Sequence, residues 1–187
     1  IKTIVNSTGR DLPDVNRLLE ELNAYSDQTI YSFKDMTQNI GKFTNAGVNL
    51  EDAVLAIKGI SNEAAVSGAS AEEASRAMYN FSQALSAGFV KLIDWKSIEN
   101  ANMATVEFKQ QLIDTAVELG VVSKAGDMYT TSAGNSFSAT KNFNDVLQDQ
   151  WMTTDVLIKT LGNYADENTA IGKKAFAKKQ KVLSVKL

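Results

Sequence analysis

Apolar residues recur at helical spacing in the stretch "DLPDVNRLLEELNAY", which begins at Asp11. The apolar positions are Val15, Leu18, Leu19 and Leu22. Their intervals of three, four and seven residues from the first position place these side chains on one face of an α-helix. Because aspartate is a favoured N-cap residue, the pattern predicts an amphipathic helix that begins near Asp11.

Polar caps and glycines divide the next region into three further helices. Each of these segments begins with Ser or Asn and carries an acid three residues later, which is the spacing of a capping box or of its Asp variant. A glycine follows each apolar pattern, as expected for a helix that ends in a left-handed residue. The predicted cap and turn residues are Ser32, Gly47, Asn49, Asp52, Gly68, Ser70, Glu73 and Gly88.

Two of these segments restart the same local pattern. "GVNLEDAV" begins at Gly47 and "GASAEEAS" begins at Gly68, 21 positions later. Turns this short make neighbouring helices roughly antiparallel, and the many alanines in both segments permit close approach. A solenoid needs at least three similar units, so two units favour a compact bundle.

Two more helices follow, one in "FVKLIDWKSIENANM", where Asp94 is the expected cap, and one in "ATVEFKQQLIDTAVELG", where Thr105 is a candidate cap. Large apolar side chains on the inward faces of the predicted helices are expected to anchor the core. The predicted core anchors are Phe33, Phe43, Leu55, Met78, Phe81, Leu85 and Trp95.

The pattern changes after Gly120, where the helical period is lost. Turn-forming residues, among them Gly126 and Gly134, alternate with short pieces of alternating polarity up to residue 139, which indicates a small β-hairpin. An isolated hairpin is only marginally stable in water, so it is expected to pack on the helices. Helical signal returns in "NFNDVLQDQWMTTDVLIKTLGNYAD", which predicts two short helices, the second capped by Thr153 or Thr154.

The predicted fold is mainly α: a compact multi-helix bundle of short antiparallel helices with one small β-hairpin at about residues 121–139. Three segments are expected. Residues 1–120 form the helical bundle, and residues 121–170 form the hairpin and two short helices packed on it. Residues 171–187 form a lysine-rich tail, which either frays or leads into a longer helix. The chain starts with Ile and is expected to be a piece of a longer protein.

Composition limits the possible chemistry of the chain. Apolar residues make up 44% of the 187 residues, which is enough for a core, and the net charge is −3. The absence of Cys and His excludes disulfides, thiolate or imidazole metal sites and histidine-based catalytic triads. The slight acidic excess is unlike the basic balance typical of a nucleic-acid binder. No apolar run reaches the roughly 20 residues that cross a bilayer, and no signal peptide is recognisable.

The remaining motifs do not indicate a catalytic or ligand site. The sequence holds no nucleophile elbow, phosphate-binding loop or calcium loop. Adjacent acids on a helix point in different directions, so the pair Glu51 and Asp52 and the pair Glu72 and Glu73 are better explained as first-turn acids that complement the helix dipole. No catalytic, cofactor-binding or metal-binding residue is predicted, and no cofactor is expected.

The order of these features resembles the conserved N-terminal region of tape measure proteins of long-tailed bacteriophages. The resemblance covers about residues 30–165, and its elements include the "AGVNLE" restart, the glycine before "SAEE", the helix end "FSQALSAG" and the segment "DWKSIENA". The stretch "SATKNFNDVLQDQWMTTDVL" is similar to versions from phages and prophages of Gram-positive bacteria.

The resemblance implies a structural role and no enzymatic activity, because it carries no catalytic signature. Tape measure proteins lie inside the growing tail tube and set its length. The implied partners are other tape measure copies, the tail tube, tail-tip proteins and tail-assembly chaperones, with no specific nucleic acid. The implied location is the phage tail of the virion, and the host bacterial cytoplasm during assembly.

Two alternative functions stay open. A cell-wall hydrolase domain would need a buried glutamate with a raised pKa in a cleft, and its candidates are Glu63, Glu99, Glu107 and Glu118. A DNA-contacting module would use the lysine-rich end, Lys173 to Lys186, and its affinity would fall steeply with salt.

Overall fold

The computed structural model describes residues 1–186 and confirms a mainly helical fold with one small antiparallel sheet. The helices are α1 Lys2–Thr8, α2 Leu12–Ser26, α3 Phe33–Asn45, α4 Leu50–Ser67, α5 Ala71–Ala87, α6 Leu92–Asn100, α7 Val106–Glu118, α8 Thr154–Ala165 and α9 Ala170–Lys186. The strands are β1 Ser123–Ala125, β2 Met128–Thr130 and β3 Ser136–Phe137, and a 3₁₀ helix spans Asp145–Asp149.

Side-chain caps begin most of these helices. The Ser70 hydroxyl oxygen accepts a hydrogen bond from the backbone N–H of Glu73 at 3.1 Å, and the Glu73 carboxylate accepts one from the backbone N–H of Ser70 at 2.9 Å. These two reciprocal bonds form a capping box at the start of α5. Ser32 accepts from the N–H of Asp35 in α3 and Asn49 from that of Asp52 in α4.

Left-handed glycines end the two repeated helices. Gly68 follows α4 with a φ of 81°, and Gly88 follows α5 with a φ of 88°. Gly47 also has a positive φ and lies one residue beyond Ala46, the C-cap of α3. Because side chains are strained at such φ values, these turns depend on glycine.

Two helix starts differ from the expectation. Helix α1 lacks a side-chain cap bond and has only seven residues, so it carries little sequence signal, and its buried Ile4 packs against the core. The prediction that Asp94 caps α6 is wrong, because the helix begins at Leu92 after Lys91. Asp94 instead sits in the first turn and accepts a hydrogen bond from the Lys91 N–H at 3.2 Å.

The predicted hairpin is present and gains a third strand. Strand β2 pairs with β1 and with β3, both antiparallel, with Tyr129 opposite Lys124 on one side and Phe137 on the other. Tyr129 and Phe137 are buried, and the Phe137 ring lies 5.1 Å from that of Trp151. The sheet is therefore attached to the helices through aromatic packing. Of the two short helices expected after it, the first is the 3₁₀ helix and the second is α8.

Helix α4 is at the centre of the fold and contacts α2, α3, α5, α8 and α9. A single core cluster extends from Ile4 in α1 to Ala175 in α9. All three predicted segments therefore contribute side chains to one core.

The prediction that Leu55 anchors the core is wrong. This residue is 42% exposed, although most residues of α4 are buried. The neighbours of α4 leave this position uncovered, between α4 and α8. Phe33 is half-buried against the core, and the remaining predicted anchors are buried: Phe43, Met78, Phe81, Leu85 and Trp95.

Candidate functional site

Glu63, the first hydrolase candidate, lies in the interior of the bundle on α4. Its exposed fraction is 0%. The Thr105 hydroxyl donates to Glu63 Oε1 at 3.4 Å. Within the described structure, neither Glu63 Oε2 nor the hydroxyl of Tyr164 has a hydrogen-bond partner. The site is thus a buried carboxyl group with one weak contact.

Burial controls the protonation of this group. Desolvation raises the pKa of Glu63 to about 8, whereas the neighbouring hydroxyl groups of Tyr164 and Thr105, and the charge of Lys174, lower it. Burial and the nearby Glu63 carboxyl also raise the pKa of Tyr164. At neutral pH the Glu63 carboxyl is therefore mostly protonated, which is the state that a buried carboxyl prefers when no cation neutralises it.

A general acid must also reach its substrate. Thr105 lies between Glu63 and two surface depressions. One is lined by Val66, Glu107 and lysines of α9, and the other by Ser67, Gly68 and Glu99. Glu63 lines neither depression. Glu63 therefore has its raised pKa in the packed interior, where a substrate in either depression does not meet it.

The other three candidate glutamates are held by surface contacts. Glu99 accepts a hydrogen bond from Asn144 at 3.3 Å, Glu107 pairs with Lys174, and Glu118 pairs with Lys159 at 2.7 Å. Glu107 and Glu118 lie at opposite ends of α7, about 16 Å apart at 1.5 Å per residue. These two carboxyl groups are too far apart for the roughly 5 to 9.5 Å spacing of glycosidase carboxylates.

A second buried polar group ties α2, α4, α8 and α9 together. The Tyr25 hydroxyl oxygen lies 2.5 Å from Asn62 Oδ1, and the Asn62 amide nitrogen donates to the carbonyl oxygen of Tyr164 at 2.8 Å. The ammonium group of Lys179 lies 4.4 Å from the centre of the Tyr25 ring. Lys179 is only 3% exposed, and burial lowers its pKa.

The family model described as tape measure protein matches residues 1–178. The chain belongs to the tape measure protein family. The comparisons with curated proteins and with solved structures found no significant match.

The match covers nearly all of this tape measure domain, from α1 into α9. It therefore extends beyond residues 30–165, the range of the resemblance in the sequence motifs. Membership in this family makes the domain a structural component of a phage tail. No helix within residues 1–186 combines the length and apolar character that a membrane crossing requires.

The lysine-rich end of the tape measure domain is helix α9, and it packs on α4 and α8. Ile171 and Ala175 are buried, whereas Lys173 and Lys178 are exposed. Gly172 is required where α9 begins, because a Cβ there would lie 2.6 Å from the carbonyl carbon of Asp166. One face of α9 is thus part of the core and the other is a row of lysines in solvent.

Sequence reasoning did not identify the groove beside Leu55 or the close contact at Gly59. Glycine inside a helical pattern is a usable signal for close packing, and both Gly59 and Gly162 lie inside predicted helices. The uncovered face of α4 had no such signal, because apolar periodicity does not reveal which faces find a neighbour.

Proposed function

We propose that this domain is a non-catalytic structural part of a tape measure protein that helps set tail length and contacts tail-tip or chaperone proteins during assembly. The family match over residues 1–178 supports this proposal. Other tape measure copies and the tail tube are further proposed partners. The proposed location is the virion tail, preceded by the cytoplasm of a Gram-positive host.

The state of the candidate glutamates supports a non-catalytic role. Glu63 is enclosed in the core, and Glu107 and Glu118 pair with lysines. A glycoside hydrolase canonically needs two carboxyl groups that both reach one glycosidic bond, and Glu63 lines neither neighbouring depression. Packing and caps account for the positions of these residues without a substrate.

Crosslinking in assembling phage tests this role. A photoreactive residue is placed in the full-length protein at Tyr79, Ile93 or Val106, which are exposed apolar positions on three helices. The expected products join the domain to tail-tip, tail-tube or chaperone proteins. As a control, the same residue is placed at the buried Phe81, where crosslinks should stay within the chain. Intermolecular crosslinks confined to proteins outside the tail would contradict the proposal.

A peptidoglycan turbidity assay tests the hydrolase alternative. The proposal predicts that this domain contributes nothing to the clearing of a peptidoglycan suspension by the full-length protein. Clearing that is lost in Glu63→Gln but kept in Glu118→Gln would contradict it and assign the activity to the buried carboxyl.

The exposed lysines of α9 favour DNA contact as a second candidate function. Lys173, Lys174, Lys178 and Lys181 are exposed on the same helix. Counterion release predicts that the affinity for duplex DNA falls linearly with salt on a logarithmic scale. Replacement of Lys173 and Lys178 by Gln should reduce that slope in a filter-binding titration, and an unchanged slope would exclude α9.

A further inference from the structure

An open groove of about 760 Å³ runs between α4 and α8, next to the end of α7. Its floor holds Leu55 and Leu119, which are 42% and 41% exposed, together with the half-buried Ile158. Large apolar side chains that meet in one groove are typical of a docking surface.

Carboxylates surround this apolar floor. The groove is lined by Asp52, Asp155, Asp166 and Glu167, and its single lysine, Lys159, already pairs with Glu118. Within the part of the chain whose side chains the structure describes, none of these four acids forms an ion pair. The charge of the groove is therefore negative and available to a positively charged partner.

Gly162 leaves the wall of the groove open. It lies inside α8, and a Cβ built on it would meet nothing within 4 Å. Glycine inside a helix is destabilising by about 1 kcal/mol relative to alanine, and no packing contact within the described residues requires it at this position. A glycine on the wall of a groove has no side chain to keep a second backbone away.

We propose that this groove binds an amphipathic α-helix of a partner protein whose apolar face is flanked by lysine or arginine. A groove between two helices has the shape that accepts a third helix. The apolar residues of the partner would cover Leu55, Leu119 and Ile158, and its basic residues would meet the four carboxylates. The inference concerns the surface of this domain and does not depend on the tail role proposed above.

The test uses a fluorescently labelled leucine–lysine helical peptide of about 15 residues and the purified full chain. Fluorescence anisotropy should show saturable binding that weakens with added salt, because exposed charge pairs are screened. A leucine–glutamate peptide of the same pattern is the probe control and should not bind. Equal binding of the two peptides would overturn the proposal.

Variants of the groove make the test specific. Gly162→Trp fills the groove from an open position and should abolish binding while circular dichroism and the melting temperature show a folded protein. Leu55→Gln is a second variant at an exposed position, and it should also weaken binding. Retained binding in both folded variants would overturn the proposal.

A charge-matched pair of variants tests the acidic rim. Asp155→Asn with Glu167→Gln should weaken binding about fivefold, as expected for a loss near 1 kcal/mol from exposed charges. Glu20→Gln with Glu72→Gln removes the same charge from exposed positions on α2 and α5 and should leave binding unchanged. Equal weakening by the two pairs would show non-specific attraction and overturn the proposal.

Sedimentation analysis of the chain alone tests the remaining candidate occupant of the groove, which is a second copy of this chain. A monomer at the concentrations of the binding assay supports a helix from another protein. Self-association that Gly162→Trp abolishes would assign the groove to a second copy and overturn the proposal.

Discussion

Gly59 of α4 lies directly against the backbone carbonyl of Leu161 in α8. A Cβ built on Gly59 would overlap the carbonyl oxygen and lie 2.6 Å from the carbonyl carbon. The two helices thus touch backbone to backbone, in the most extensive helix pair of the described chain. This contact lets α8 cover one side of α4 while Leu55, one turn earlier, stays at the edge of the groove.

Gly59→Ala is expected to lower the free energy of unfolding by about 3 kcal/mol, because overpacking against a backbone atom forces the helices apart. Urea denaturation measures the change. Gly162→Ala is the matched control in α8, where the open space should allow a gain of about 0.5 to 1 kcal/mol from helix propensity. A destabilisation of equal size in both variants would contradict this role of Gly59.

Glu63 predicts a pH dependence of stability. Its folded pKa of about 8 lies above the ordinary glutamate value of 4.5, so the folded state holds a proton that the unfolded state releases between these two pH values. The part of the free energy of unfolding that depends on this proton is complete below pH 4.5. It is lost as the pH rises toward 8, by up to about 1.4 kcal/mol per pH unit.

Urea denaturation at pH 5.5, 6.5 and 7.5, values chosen within this window, measures that slope. Glu63→Gln should remove the contribution and gain stability relative to the original protein as the pH rises. Glu118→Gln, at an exposed ion pair, should leave the slope unchanged. The same pH slope in Glu63→Gln as in the original protein would disprove the assignment.

Tyr25→Phe tests the buried polar group. Without the Tyr25 hydroxyl, Asn62 Oδ1 loses its partner at 2.5 Å, and an unpaired buried acceptor costs about 1 to 3 kcal/mol. Tyr79→Phe removes a hydroxyl from an exposed ring and should change the free energy of unfolding by less than about 0.5 kcal/mol. Thermal or urea unfolding of both variants decides the prediction, and equal stability of the two would count against the network.

Lys179→Glu tests how α9 is attached. The change replaces an ammonium group over the Tyr25 ring with a carboxylate in a nearly closed site. We expect a loss of about 2 kcal/mol from the cation–π contact and the buried charge. Lys178→Glu, next along the exposed face of α9, should stay within about 0.5 kcal/mol. If urea unfolding shows that both variants lose the same free energy of unfolding, α9 is not attached through Lys179.

Much of the helical architecture is determined by local sequence. The capping box of Ser70 and Glu73 requires residues only three positions apart, and the left-handed turn at Gly88 requires one residue. Such bonds form between neighbours in the chain, so their residue types are readable without a fold. The family resemblance is readable for the same reason, since it follows ordered local motifs.

Tertiary structure alone decided which faces are covered. Leu55 and Ile57 are both apolar residues of α4, yet the first is 42% exposed and the second is fully buried. The pKa of Glu63 also depends on residues far away in the sequence, because Tyr164 belongs to α8 and Thr105 is the cap residue before α7. Hydrophobic spacing indicates that a side chain is suited to burial, but burial itself needs a partner surface. In this protein the close approach of α8 at Gly59 determines where that surface ends.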